Sequence, residues 1–207
     1  MSKRYDHRTE QQFAKDIKFA TKLEGYFFDE WIKRCTGLDY VHVSNARDNG
    51  ICNNGELVRG INTSGADYKV DISYDDGNWE YNYIDLPLEI KWVPTPGKFS
   101  LKEGDMKAYI REHAAILFIY NTVKGVNLKK PRHPQTGDFE NHIKKIESKN
   151  KDLKWGILMP DKVEQMLDTY TKNGKIEPIW YMGGKNGLIL KEEDYDIWFK
   201  EEQWTSN

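Results

Sequence analysis

Long apolar runs, cysteines and an excess of one charge sign are what this 207-residue sequence lacks. Its longest continuous apolar stretch, Ala114 to Tyr120, has strand length and falls well short of the about 18 residues a membrane-spanning helix needs. The opening segment, Met1 to Gln12, is polar overall and carries no signal-peptide core, so a cytoplasmic protein without a membrane partner is expected. Cys35 and Cys52 are the two cysteines, and they form neither a CxxC pair nor a disulfide framework, which fits a reducing compartment. In that setting the sequon at Asn62-Thr63-Ser64 has no glycosylation route. The net charge of −2 excludes a globally basic nucleic-acid binder but leaves room for a local basic face. P-loop, GxSxG, GxGxxG and HExxH patterns are absent, and His7, His42, His113, His133 and His142 show no metal-site spacing.

Aromatic residues are plentiful. Seven Trp, 12 Tyr and eight Phe can bury enough area to offset ordering entropy, although only 38% of residues are hydrophobic. The length suits a single domain over 1–207, with no repeat, low-complexity tract or Gly/Ser linker to divide it. Charge is unevenly spread. Lys124 to Lys154 holds nine basic residues against four acidic ones, whereas Glu192 to Glu202 holds six acids and one lysine.

Periodicity predicts a helix from Thr9 to Arg34, interrupted near Gly25 and stopped by Gly37, because Phe13, Ile17, Ala20, Leu23, Phe27 and Trp31 recur at helical spacing. A short strand is expected at 40–43 and a loop over Asp48 to Gly65. Alternation then marks two strands, 67–72 and 86–92, with a turn around Asp75 to Asn78. Ser100-Leu101-Lys102-Glu103 reads as a capping box opening a helix to about His113. The run at 115–120 suits a strand buried on both faces. Helices over 139–148 and 161–170, a strand at 155–159 and a hairpin over 176–190 around Gly183 to Gly187 complete the pattern. The fold class is α/β, a central mixed β-sheet flanked by α-helices.

The informative chemistry is Asp67 followed by Glu89-Ile90-Lys91. Alternation puts Glu89 and Lys91 on one side of a strand, roughly 6.5–7 Å apart along it. If the neighbouring strand brings Asp67 to that side, two carboxylates converge beside a lysine. Carboxylate oxygens are hard donors suited to Mg²⁺, and a lysine can stabilise charge developing on a phosphoryl oxygen. The blander account makes Glu89 and Lys91 a solvent-facing ion pair worth roughly 0–1 kcal/mol.

These residues resemble the PD-(D/E)XK nuclease superfamily, the restriction-endonuclease-like proteins. The matching pieces are the N-terminal helix, Gly65-Ala66-Asp67-Tyr68 opening a strand, the Glu89-Ile90-Lys91 strand, and a helix followed by a buried strand, which together cover 9–120. Ala66 stands where that family often has proline. The resemblance implies a restriction-endonuclease-like core, Asp67 and Glu89 as metal ligands with the carbonyl of Ile90, and Lys91 as the catalytic lysine. It also implies a glutamate from the first helix: Glu30 is the first choice and Glu24 the competing one. Asp71 shares a face with Asp67 and competes with it. The implied activity is Mg²⁺-dependent hydrolysis of DNA phosphodiesters, with Mn²⁺ as a substitute, by a homodimer of restriction type. A junction-resolving phage or repair nuclease and an inert nucleic-acid-binding protein are the alternatives. Residues 121–207 would supply target recognition. Lys98, Lys102, Lys129, Lys130, Arg132, Lys144 and Lys145 are the candidate DNA contacts, with solvated surface positions as the ordinary alternative. His133 and His142 are expected on the surface, Cys35 in the interior, and Trp180, Trp198 and Trp204 in packing rather than base stacking.

Overall fold

The computed structural model describes residues 9–49, 65–75, 77–95, 98–170, 187–191 and 200–204. Its first element, α1 (Glu10–Cys35), carries the apolar stripe and is capped reciprocally at its start. The Thr9 hydroxyl accepts from the Gln12 N–H at 3.1 Å, and Gln12 Oε1 accepts from the Thr9 N–H at 2.9 Å. Contrary to expectation, α1 runs unbroken through Gly25. A Cβ added there would meet the Tyr68 hydroxyl at 3.5 Å, an ordinary contact. Gly25→Ala is therefore expected to stabilise the protein by about 0.5–1 kcal/mol through helix propensity, read as a higher urea midpoint. The helix ends at Thr36, and Gly37 follows with φ of 90°, a left-handed conformation that glycine adopts without strain.

The remaining elements are β1 (Val41–Asp48), β2 (Tyr68–Asp75), β3 (Glu80–Val93), β4 (Lys98–Lys102), α2 (Glu103–Glu112), β5 (Ala115–Asn121), α3 (Asp138–Glu147), β6 (Leu153–Leu158), α4 (Pro160–Tyr170), β7 (Gly187–Lys191) and β8 (Lys200–Gln203). A six-stranded sheet has the order β1-β2-β3-β5-β6-β8, in which β3 and β5 are parallel and the other neighbours antiparallel. The architecture is thus α/β with a mixed open sheet. One sheet face packs against α1 and α3 through Leu23, Phe27, Trp31, Leu88, Trp155 and Ile146, and the other against α2 and α4 through Met106, Tyr109, Phe118 and Val163. Every residue of β5 is buried, as a strand covered on both faces must be.

β3 is twice the expected length and passes through Pro87, because parallel pairing with β5 begins only at Leu88. Pro87 therefore sits where β2 is the one neighbour, an edge-like position that tolerates a missing N–H. The Asp75 to Asn78 turn is present: Asp75 Oδ1 accepts from the Gly77 N–H at 2.6 Å, and Gly77 has φ of 89°. Ser100 is not the residue that opens α2. Ser100 lies inside β4, opposite Ile189 of β7, and α2 starts at Glu103. Distant strand pairing, with Leu101 1% exposed, outcompetes the local cap. Of the expected hairpin, residues 171–186 lie outside the described residues, and β7 pairs with β4 in a separate two-stranded sheet. Cys52, Trp180, Trp198 and residues 50–64 of the expected loop also lie outside them.

The C-terminal part is continuous with the core. β6 and β8 extend the main sheet, and Trp204 is fully buried between the Arg34 guanidinium, 3.9 Å from its ring centroid, and the Phe27 ring. His142 departs from expectation: it is 6% exposed, with its ring tilted against Phe19 at 5.6 Å. It belongs to the inward stripe of α3 with Phe139, Ile143 and Ile146, and burial lowers its pKa. Cys35 is buried and free, as expected, and burial pushes its thiol well above the ordinary value. Among the described residues, no helix is long and apolar enough to cross a membrane.

Candidate active site

Strand alternation on β3 sends Leu88 and Ile90 into the core beneath α1 and leaves Glu89 and Lys91 on the side of α2. The Lys91 ammonium donates to Glu89 Oε1, and the Tyr109 hydroxyl of α2 donates to the same oxygen at 2.9 Å. The ammonium also stands 5.4 Å from the Tyr109 ring centroid. Glu89 is only 8% exposed, which removes the reading of a solvent-facing pair. A carboxylate this deep persists because two donors satisfy one of its oxygens. Burial works against the charge on Lys91, but Glu89 and Tyr109 beside it hold its pKa above the ordinary lysine value.

Asp67 stands immediately before β2, at the mouth of the strand. Its Oδ2 accepts from the Ile90 N–H at 3.2 Å, and the Glu89 carboxylate lies beside it, close enough to raise its pKa. Neighbouring backbone fixes this position: the Asn49 N–H donates to the Asp67 carbonyl at 3.1 Å, Asn49 Nδ2 to the Ala66 carbonyl at 3.1 Å, and the Ala66 N–H to Glu112 Oε2 at 3.2 Å. Ala66 is fully buried, so a small side chain suits the position. Burial and then the adjacent Glu89 push the Asp67 carboxyl up to about 7.

Glu24, not Glu30, brings the helix's carboxylate to this group. Burial first, then the charges of Asp67 and Glu89, raise the Glu24 carboxyl to about 8, with Lys91 and Lys130 acting in the opposite sense. Glu30 is held elsewhere: it accepts from Lys33 at 2.6 Å and from Arg34 at 2.8 Å. Those hydrogen bonds overcome its partial burial and keep its carboxyl below the ordinary range. The helix turns about 100° per residue, so six residues separate the two glutamates by roughly 240° around α1.

Asp71 also has another task. It accepts from Asn45 Nδ2 and, at 2.9 Å, from the Asp85 N–H. Asn45 and Asp85 have φ of 48° and 54°, and both lie at irregularities in the β1–β2 and β2–β3 pairing. Asp71 thus pins two left-handed residues at bulges, while Arg47 pairs with Asp85.

The candidate DNA contacts are dispersed. Lys98 and Lys102 are the first and last residues of β4, and their side chains lie outside the described residues. Lys129, Arg132 and Lys144 are exposed. Lys145 donates to the Asn127 carbonyl at 2.7 Å and ties α3 to the segment after β5. Lys130 donates to the Asp16 carbonyl of α1 at 3.1 Å and lies within electrostatic reach of Glu24. Sequence reasoning missed Tyr109, Asn49 and Glu112. The periodic signal for Tyr109 is its place three residues after Met106, on the face of α2 that meets the sheet.

Glu24, Asp67 and Glu89 lie within electrostatic reach of one another and of Lys91, which pairs with Glu89. Among the described residues, no group of three or more His, Cys, Asp or Glu side chains is placed so as to hold a metal ion. Asp67, Glu89 and the Ile90 carbonyl are the hard oxygen donors at this place, and burial together with the adjacent Glu89 charge raises the Asp67 carboxyl. Comparison with known proteins returned no similarity: no family model, no curated protein and no solved structure matches the chain.

Proposed function

We propose that the chain is a Mg²⁺-dependent DNA endonuclease built on a restriction-endonuclease-like core and acting as a homodimer. The observation that carries this reading is the convergence of Glu24, Asp67 and Glu89 around Lys91 at the mouth of β2 and β3. Three carboxylates with one lysine leave an excess of negative charge, and two of the carboxyls relieve it by holding protons near neutrality. A divalent cation would relieve it better. Asp67, Glu89 and the Ile90 carbonyl would hold the ion, with Glu24 beside them, and the bound ion would supply positive charge at the scissile phosphodiester.

The chain's own groups do the rest. Lys91 keeps its charge and stands ready to stabilise an oxygen on which negative charge develops. Tyr109 holds Glu89 by a buried hydrogen bond, so the carboxylate does not reorient as charge is redistributed. Tyr109→Phe is expected to slow turnover about tenfold without unfolding the protein, checked by single-turnover cutting and by circular dichroism. The two-fold symmetry of duplex DNA favours two copies, one for each strand.

The deciding experiment incubates the full chain with supercoiled plasmid, linear duplex and a four-way junction, each with Mg²⁺ or EDTA, beside a Glu89→Ala, Lys91→Ala double variant. Metal-dependent cutting lost in the variant supports the nuclease. Discrete fragments from linear duplex select the restriction type, and preference for the junction selects a resolvase. DNA retained in a gel shift without cutting, in every metal tried, overturns the enzyme in favour of an inert binding protein on this fold.

A further inference from the structure

Lys15, Lys18 and Lys22 recur at spacings of three and four along α1 and so share one face. That face opens on a cleft of about 370 Å³ between α1 and residues 134–140, at the turn into α3. Its floor is apolar: the Phe19 and Phe139 rings meet edge to face at 5.6 Å, and the Lys22 ammonium stands 5.2 Å from the Phe139 centroid. All three lysines are exposed, and none forms an ion pair with a described residue. Among the described residues lining the cleft, Glu140 is the single acid, so the cleft keeps a positive excess. Like charges at these spacings repel, and a bound anion would relieve them. α3 opens on the same cleft at Gly137, which has no side chain with which to cap it.

We propose that this cleft binds the phosphodiester backbone of duplex DNA at a distance from the carboxylates, an inference that rests on the nuclease reading. Seven residues of helix separate Lys15 from Lys22, about 10 Å along the axis. That row is too long for one phosphate group, but it suits a strand bearing a charge at each step of about 3.4 Å. Lys22 and Glu24 lie about 200° apart around α1, so the cleft and the carboxylates face opposite sides of the helix. Lys130 links them: it touches α1 at Asp16 and senses Glu24, and the chain then runs from Pro131 to Gly137 into the wall of the cleft. Backbone gripped here contributes to binding and leaves the bond-breaking step untouched.

The test is fluorescence anisotropy of labelled duplex DNA with the full chain in EDTA, over a range of salt concentrations. A Lys15→Gln, Lys18→Gln, Lys22→Gln variant is expected to bind about 10- to 100-fold more weakly, with a salt dependence shallower by about two to three ions. In Mg²⁺, cutting at saturating DNA should stay within about twofold of wild type while KM rises. Glu140→Gln should tighten binding about two- to threefold, a gain that misfolding does not produce. The binding changes alone uphold the cleft even if the protein cuts no DNA, which would overturn only the nuclease. Unchanged affinity and salt dependence in the triple variant, or wild-type protein that binds no duplex, overturns the proposal.

Discussion

Replacing Glu24 by Gln is expected to slow DNA cutting by about 10²-fold or more, whereas Glu30→Gln should leave it within about threefold of wild type. The two glutamates belong to one helix and differ in what surrounds them. Glu24 senses Asp67, Glu89, Lys91 and Lys130, so its charge acts on whatever occupies the space between the carboxylates. Glu30 spends its charge on Lys33 and Arg34, and Arg34 in turn covers Trp204. Its loss should therefore register in stability, as a fall of roughly 0.5 kcal/mol in urea, and not in turnover. Single-turnover cutting of the preferred substrate in Mg²⁺ measures the first effect and urea titration the second. Equal activity in the two variants would mean that α1 contributes nothing to the chemistry and that the site consists of Asp67, Glu89 and Lys91 alone.

This contrast also marks what can be read from the sequence. That Glu89 and Lys91 share one side of β3 was legible because strand alternation is local: two residues apart on a strand means one side of it. Choosing a glutamate from α1 required knowing how the helix is rotated against the sheet. The signal was present in unexploited form. Glu30 has Lys33 and Arg34 at positions i+3 and i+4, which satisfy it within the helix, while Glu24 has Phe27 and Phe28 there and must look outward for a partner. Asp71 competed with Asp67 on alternation alone. What separates them is the pair of bulges at Asn45 and Asp85, features of strand pairing that no local pattern encodes.

The same distinction runs through the fold. α1, the buried strand β5 and, β4 apart, the order of elements from β1 to α4 followed from periodicity, whereas β4 and β8 did not. Ser100-x-x-Glu103 misled because a cap is judged over four residues, whereas β4 is stabilised by β7, more than eighty residues further along the chain. His142 misled because charged neighbours in α3 hide that it lies on the stripe of Phe139, Ile143 and Ile146. Locally satisfied patterns were legible; those whose partner arrives from a distant segment were not.

Without divalent metal, the protein is expected to be more stable at pH 5 than at pH 8. The Glu24 and Asp67 carboxyls rise from ordinary values of 4.5 and 3.8 to about 8 and about 7 in the folded chain. The folded state therefore holds protons that the unfolded state has released, and unfolding gives them up. Stability contributed by these groups is complete below about pH 4 and is lost as pH climbs through 7 and 8. A tenfold difference in proton affinity between the folded and unfolded chain corresponds to about 1.4 kcal/mol. Both side chains keep some contact with water, which screens their repulsion and reduces the effect. The expected loss between pH 5 and pH 8 is on the order of 2–4 kcal/mol. Urea denaturation in EDTA measures it, and a Glu24→Gln, Asp67→Asn variant should be more stable than wild type at pH 8 and nearly flat across this range. Addition of Mg²⁺ should raise the Tm of wild type more at pH 8 than at pH 5, because the ion competes with the protons it replaces, and should leave the double variant unmoved. Wild-type stability that is indifferent to pH would mean that the carboxyls do not share a site. A pH dependence that persists in the double variant would assign it to other groups. A pH dependence that vanishes in the variant without any response to Mg²⁺ would leave the carboxyls together but deprive them of the metal, and with it the chemistry for which their repulsion is retained.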